Sequence, residues 1–273
     1  MPVPRRKADI MLQPRKRFGQ NFLQDQGVIS KIVKVIDPRS GDHMIEIGPG
    51  RGAITVPLLF CGIDLDVIEL DRDLIQHLEQ LKHPSNSTLC IHNSDALDAD
   101  ICAMARNGRK LRVVGNLPYN ISTPLLFRLI EQLGCIQDMH LMLQKEVVDR
   151  MAADSGNRQY GRLSVMVQYH CQVQHLFTIG PNAFIPQPKV DSSFVRLIPH
   201  AEPRVKVADY GAFSLLVKTA FAYRRKTLRN ALKGLVTDDA FDAAAVDPNL
   251  RAEQLQVEEL ARLSEQLIPA RSG

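Results

Sequence analysis

The sequence predicts an α/β chain built on a mostly parallel sheet, with a smaller helical domain behind it. Three observations lead there. From residue 43 to 143, short apolar runs alternate with helical stretches, as strands joined by crossover helices do. A glycine-rich turn, Gly48-Pro49-Gly50-Arg51-Gly52, sits at the first strand-to-helix junction. Beyond Pro199 and Pro203 the chain turns Ala-, Leu- and Glu-rich and helical in character.

Taken in order, HMIEIG (43–48) reads as a strand, followed by the glycine punctuation and a helix-like AITVPLLF. DLDVIEL (64–70) is a second strand, and DLIQHLEQL a helix. TLCIHN (88–93) and LRVVGN (111–116) are further strands; STPLLFRLIEQL is a helix and DMHLMLQ another strand. Such alternation implies a parallel sheet with helices on both faces. From 165 to 174 the pattern changes. Val165, Val167, Tyr169, Cys171 and Val173 oppose Met166, Gln168, His170, Gln172 and Gln174, which predicts a half-buried strand. The prolines at 199 and 203 bracket a linker, so the expected domains are 1–200 and 201–273.

Composition narrows the function classes. The 273 residues are 45% hydrophobic and 23% charged, ordinary for a soluble globular chain. Five cysteines, never in a C-x-x-C pair, argue against a disulfide scaffold or a Cys-rich zinc site, and fit a reducing cytosol. No metal is expected. The longest stretch without Asp, Glu, Lys or Arg, 163–188, holds Gln168, His170, Gln172, Gln174 and His175, too many polar groups to cross a bilayer. The N-terminus lacks the apolar core of a secretory signal, although its arginines leave a transit peptide as an alternative.

Where the charge sits says more than its sum of +4. Residues 1–17 carry Arg5, Arg6, Lys7, Arg15, Lys16 and Arg17 against Asp9. Residues 64–100 reverse this, with nine acids against Arg72 and Lys82. The segment KTAFAYRRKTLRNALK (218–233) has six bases and no acid. A segment of this kind is a phosphate-binding face or a solvated helix surface. If helical, it aligns Arg225, Arg229 and Lys233 on one face, with Arg224 and Lys226 beside them.

Two motifs carry chemistry. Glu46-Ile47-Gly48-Pro49-Gly50-Arg51-Gly52 ends a strand and opens a helix, where glycines admit a tight turn and a close ligand. Glu69, ending the next strand, is placed to accept bonds from ribose hydroxyls. The G-x-G-x-G spacing departs from the G-x-G-x-x-G of dinucleotide sites and suits a ligand with ribose and adenine but no phosphate, S-adenosylmethionine. Asp95 after the third strand either bonds the adenine amine or caps a helix. The second motif, Asn116-Leu117-Pro118-Tyr119, follows a strand at the carboxyl edge where ligands bind. An adenine amine is a poor nucleophile because its lone pair is delocalised. Asn116 and a neighbouring carbonyl, steadied by Pro118, can accept its hydrogens and pull the nitrogen toward sp³ geometry. Tyr119 offers a flat face to the base. By itself N-x-P-Y also makes a β-turn.

RKRFGQNFL (15–23), EIGPGRGAIT (46–55), IELDRDL (68–74), NSDALD (93–98), NLPYNIS (116–122), FIPQPKVDSSFVRL (184–197) and AFAYRRKTLRNALK (220–233) resemble, in this order, blocks of ribosomal RNA adenine dimethylases. Within that family the chain is most similar to the bacterial group acting on 16S RNA. The resemblance implies a Rossmann-like, seven-stranded methyltransferase domain over 1–200 with a basic N-terminal arm, and a small helical RNA-binding domain over 201–273. It implies a cytoplasmic monomer that dimethylates two adjacent adenosines in a hairpin loop near the 3′ end of 16S RNA in immature 30S subunits. By the same resemblance Asn21, Leu23, Gly48, Glu69, Asp95 and Asn116 contact S-adenosylmethionine. Asn116 and Tyr119 handle the target adenine and Phe184 closes its other face, while Arg224, Arg225, Lys226, Arg229 and Lys233 meet RNA. Arg51 stands where the family more often has Leu, and Gln187 interrupts a usual run of prolines. Rival readings are a 23S-directed resistance methylase, an assembly factor for the 30S subunit, and a DNA adenine methylase. NLPYNIS and the basic segment favour the small-subunit enzyme over the first.

Overall fold

The computed structural model describes residues 20–106 and 108–267. The basic run expected over 1–17 lies outside the described residues, as do the first five residues of the RKRFGQNFL block. In chain order the elements begin with β1 (Phe22–Leu23), α1 (Gln26–Ile36), β2 (His43–Ile47), α2 (Thr55–Leu59), β3 (Asp64–Glu69) and α3 (Arg72–Leu78). Next come β4 (Thr88–Asn93), β5 (Leu111–Asn116), α4 (Ser122–Ile130), β6 (Ile136–Gln144), α5 (Lys145–Ala152) and α6 (Arg162–His170). The chain continues through β7 (Cys171–Ile179), β8 (Phe184–Ile185), β9 (Ser192–Pro199) and α7 (Tyr210–Ala220). It ends with α8 (Leu228–Ala231), α9 (Asp238–Ala244) and α10 (Val257–Ser264).

Seven strands form one sheet in the order β4-β3-β2-β5-β6-β9-β7. The expected strands over 43–144 all form, and β2 to β6 pair in parallel. All of β2 and nearly all of β3, β5 and β6 are buried, as strands covered on both faces should be. The order reverses between β2 and β5. In such sheets the crevice outside the carboxyl ends of those two strands is the ligand site. A separate antiparallel pair, β1 with β8, sets Leu23 opposite Phe184.

Two charged clusters inside this sheet are paired. The buried Asp66 meets His43 at 2.5 Å, His92 at 2.6 Å and Arg106 at 3.0 Å. Burial alone would raise its carboxyl, but bonds from both histidines and the Arg106 charge outweigh that and hold it below the usual range. Arg112 on β5 donates to Asp138 on β6, to Asp42, and to the carbonyls of Ile36 and Asp37 at the end of α1.

The chain divides by compactness into two units, one of 1–144 with 177–194, the other of 145–176 with 195–273. It crosses between them at three points, none of them the cut expected after residue 200. The second unit holds α5 to α10, and there α10 packs on α6, α7 and α9.

Two local expectations are corrected. Residues 165–170 are the end of α6, and the strand β7 starts only at Cys171. The apparent alternation arose because the helix is buried beyond one face: Val165, Met166, Val167 and Tyr169 are all in the core. Gln168, expected on a wet face, gives its amide to the Met151 and Ala153 carbonyls at 2.8 Å each. The basic segment is likewise no single helix. It comprises the end of α7, a turn, α8, and the residues after it. The first amides of α8, of Leu228 and Arg229, go to the carbonyls of Leu250 and Pro248. That tertiary capping starts a new helix where local sequence would continue the old one.

The cysteines bring one departure. Cys102 and Cys135 form a disulfide, their Cα atoms 5.5 Å apart. It is a single bridge between two 3-10 turns, Cys102–Met104 and Leu133–Cys135. No spacing pattern announces it, because the fold alone brings the pair together.

Candidate active site

The carboxyl ends of β2, β3 and β5, with β1 beside them, enclose a cavity of about 300 Å³. Its walls include Asn21, Leu23, Gly48, Glu69, Asp95, Asn116 and Tyr119, seven of the expected site residues. Phe184 is not among them. Its ring is fully buried opposite Leu23 and offers no open face. The five basic candidates belong to the second unit and are exposed.

The glycine turn after β2 follows the logic its sequence suggested. Gly48 and Gly50 hold φ of +67° and +58°, a region that side chains rarely adopt. A Cβ on Gly50 would also sit 3.1 Å from the Phe22 ring. Arg51 lays its guanidinium over that same ring, 4.5 Å from its centre. The departure at Arg51 therefore ties the loop to β1.

Glu69 is 8% exposed. Its Oε1 accepts the N–H groups of Leu70 and Asp71 at 2.9 Å, and Oε2 the N–H of Gly50 at 3.4 Å. Burial raises its carboxyl, with those amides pulling the other way. A carboxylate has about four acceptor sites, so Oε2 keeps capacity for a hydroxyl. Asp95 caps no helix, since none starts there; its Oδ1 accepts the Leu97 N–H at 2.9 Å in a local turn.

Asn116 donates its side-chain N–H to the Asn21 carbonyl at 2.9 Å. That bond sets the amide's orientation and leaves Oδ1 as the acceptor end. Around Pro118 the turn and the functional reading coexist, because the Pro118 carbonyl accepts the Ile121 N–H at 3.1 Å. Tyr119 is half-buried, which raises its phenol, and its hydroxyl lies 2.6 Å from Ser192 Oγ.

Two residues here went unmarked by motif logic. Glu46, quoted only as the start of the glycine block, is a cavity residue 2% exposed. Thr55 donates to it at 2.6 Å. Burial pushes its carboxyl up to about 7, against the Thr55 bond and with a smaller contribution from Glu69. Its place as the one acid of β2, between Ile45 and Ile47, was the available signal. Ser192 carried none, being one of two adjacent serines in the FIPQPKVDSSFVRL run.

The cavity's chemistry fits S-adenosylmethionine: Glu69 would offer an acceptor to ribose, the glycines would let the ligand approach bare backbone, and Glu46 would set a buried carboxyl against a cationic end. The volume is at the small end for ligand sites.

Comparison with known proteins agrees. The family described as Ribosomal RNA adenine dimethylase matches residues 11–268. The chain is 56% identical to "Ribosomal RNA small subunit methyltransferase A" of Pseudomonas aeruginosa, over 93% of this chain and 94% of that one. It is 54% identical to the protein of the same name from Methylococcus capsulatus, over 94% and 98%. Among solved structures, a dimethyladenosine transferase from Plasmodium falciparum superposes with a TM-score of 0.74 at 25% identity, covering 89% of this chain and 95% of that one. The 23S rRNA methyltransferase ErmE gives 0.68 at 25%, covering 90% and 99%. With a cavity at the β2/β5 reversal and a match spanning nearly all its length, the chain belongs to the ribosomal RNA adenine dimethylase family.

Proposed function

We propose that this protein transfers methyl groups from S-adenosylmethionine to the N6 amines of two adjacent adenosines in the 3′-terminal hairpin loop of 16S RNA, acting on immature 30S subunits. The observation that carries this is Asn116, whose amide is turned by Asn21 so that its oxygen serves the cavity beside Tyr119. The 16S assignment draws on the relatives named for the small subunit at more than half identity.

S-adenosylmethionine supplies the methyl group as an electrophile. Glu69 holds the ribose, Asp95 the adenine amine, and Asn21, Leu23 and Gly48 line the remaining wall. Glu46 faces the cationic methionine end. Asn116 accepts hydrogens from the target amine while the Tyr119 ring stacks on the base, so that the nitrogen is aligned with the methyl group. No strong base is required, because the methylated amine becomes acidic and loses its proton to water. Phe184 is the second ring of the base site, a role that requires its ring to turn out from the core while the β1–β8 pair stays closed. Residues 201–273 serve RNA binding, through Arg224, Arg225, Lys226, Arg229 and Lys233. The protein works as a cytoplasmic monomer; no described helix is long and apolar enough to cross a membrane.

The test is incubation with labelled S-adenosylmethionine and unmethylated small subunits, with mapping of the modified nucleotides. Label on two neighbouring adenosines near the 3′ end is expected. Label confined to 23S RNA or DNA, or none, overturns the reading.

A further inference from the structure

We propose that Ser192 is a positioning residue for base methylation: its hydroxyl fixes the Tyr119 ring against which the target adenine stacks. This rests on the stacking role given to Tyr119 above.

Ser192 is the first residue of β9 and is fully buried. A buried hydroxyl is costly unless it is bonded. Among the described residues its hydrogen-bond partner is the Tyr119 hydroxyl, at 2.6 Å. The geometry of that bond matters. The phenol oxygen lies on the ring's long axis, so a tether there fixes the direction of the axis and hence χ1. A phenol O–H also prefers the ring plane, so the partner's position restrains the plane as well. The ring that must receive a flat base is thus held from its far end by a rigid strand.

The segment that supplies Ser192 is also tied to the opposite wall. Its other end is Phe184, paired with Leu23 of β1. Two residues before Leu23, the Asn21 carbonyl takes the Asn116 amide. Asn116, the last residue of β5, and Tyr119, three residues on, are therefore each held by a different segment, and those two segments pair with one another. A displacement of 184–192 would disturb both groups that face the target amine. Reaction rates are sensitive to displacements of about 1 Å in such alignments.

The experiment is single-turnover methylation of unmethylated small subunits at saturating S-adenosylmethionine, with Ser192→Ala, Tyr119→Phe and the double variant. Each single change should lower the rate roughly three- to ten-fold, the scale of one hydrogen bond, with cofactor and subunit affinities unchanged. The double variant should be no slower than either single one, because both remove the same bond. A normal rate for Ser192→Ala overturns the proposal. So does an equal further loss on adding Ser192→Ala to Tyr119→Phe, since a packing role persists without the phenol. Should Ser192→Ala fail to fold, Ser192→Cys keeps the volume with a weaker partner and carries the same comparison. Tyr119→Ala separates the two levels. A normal rate there removes the stacking reading itself, whereas a collapse beside a normal Ser192→Ala removes only the tether.

Discussion

At Glu69 one carboxylate closes its own turn through Leu70 and Asp71 and clamps the glycine loop through Gly50. Removing a charged acceptor costs about 1.5–3 kcal/mol, so Glu69→Ala should weaken S-adenosylmethionine about ten- to a hundred-fold. Calorimetric titration checks this; an unchanged dissociation constant removes Glu69 from the ribose. Glu46 adds a pH dependence. Burial holds its carboxyl near 7, and a cationic ligand favours the ionised form. Binding below that pH must release a proton, so affinity should fall as pH drops through about 7. Glu46→Gln should flatten this profile. Asn116→Ala should collapse single-turnover methylation while the protein still folds and binds subunits. If a near-normal rate remains, the NLPY segment is only a turn.

Among the elements, the junction of α1, β5 and β6 depends on Arg112, whose guanidinium reaches four partners in the sheet's interior. Arg112→Ala takes from Asp138, a carboxylate 1% exposed, the guanidinium that donates to both of its oxygens. Breaking such a pair costs about 3–5 kcal/mol. The urea midpoint should drop accordingly, and a shift under about 1 kcal/mol would show that water replaces the arginine. The basic segment around α8 behaves differently from the single helix face that a continuous helix would present. Arg229 lies 3.3 Å from Asp238, and Arg224 lies 3.6 Å from Glu253 and donates to the Arg158 carbonyl. Arg225, Lys226 and Lys233 should therefore carry more of the phosphate binding. Neutralising these three should flatten the slope of log affinity against log salt by roughly 0.7–0.9 for each phosphate left without its cation. An unchanged slope means a solvated surface.

For the whole molecule, acid stability follows from the second unit. His170 is packed among Tyr169, Tyr210 and His200, with its Nε2 3.0 Å from the Tyr210 hydroxyl. Burial first, and the His200 charge second, push it down to about 4. Between its ordinary 6.5 and that value, the unfolded chain binds a proton that the folded one refuses. Stability is therefore fully present above about 6.5 and is lost as pH falls toward 4. Urea unfolding at about pH 7 and pH 5 should show the drop, and His170→Gln should lessen it. Equal drops in both proteins would place the acid sensitivity elsewhere.

The parallel strands over 43–144, the glycine turn and the residues at the ends of β2, β3 and β5 were legible in the sequence. These are written locally: apolar runs set the strands, glycines set the positive φ angles, and a parallel sheet puts each strand's last residues at one edge. Gly48, Glu69, Asp95, Asn116 and Tyr119 share one cavity for that reason, and Asn21 and Leu23 join them from β1 and the residue before it, outside that sheet. The remaining features come from contacts between segments distant in the chain. α6 hides its polar side chains by bonding Gln168 to distant carbonyls, so a two-residue alternation misled. The basic segment breaks because Leu250 and Pro248 cap α8. Phe184 is buried by pairing with Leu23, and Ser192 meets Tyr119 across 73 positions. Such pairings join residues far apart in the chain, and no local pattern encodes a partner that folding alone brings within bonding distance.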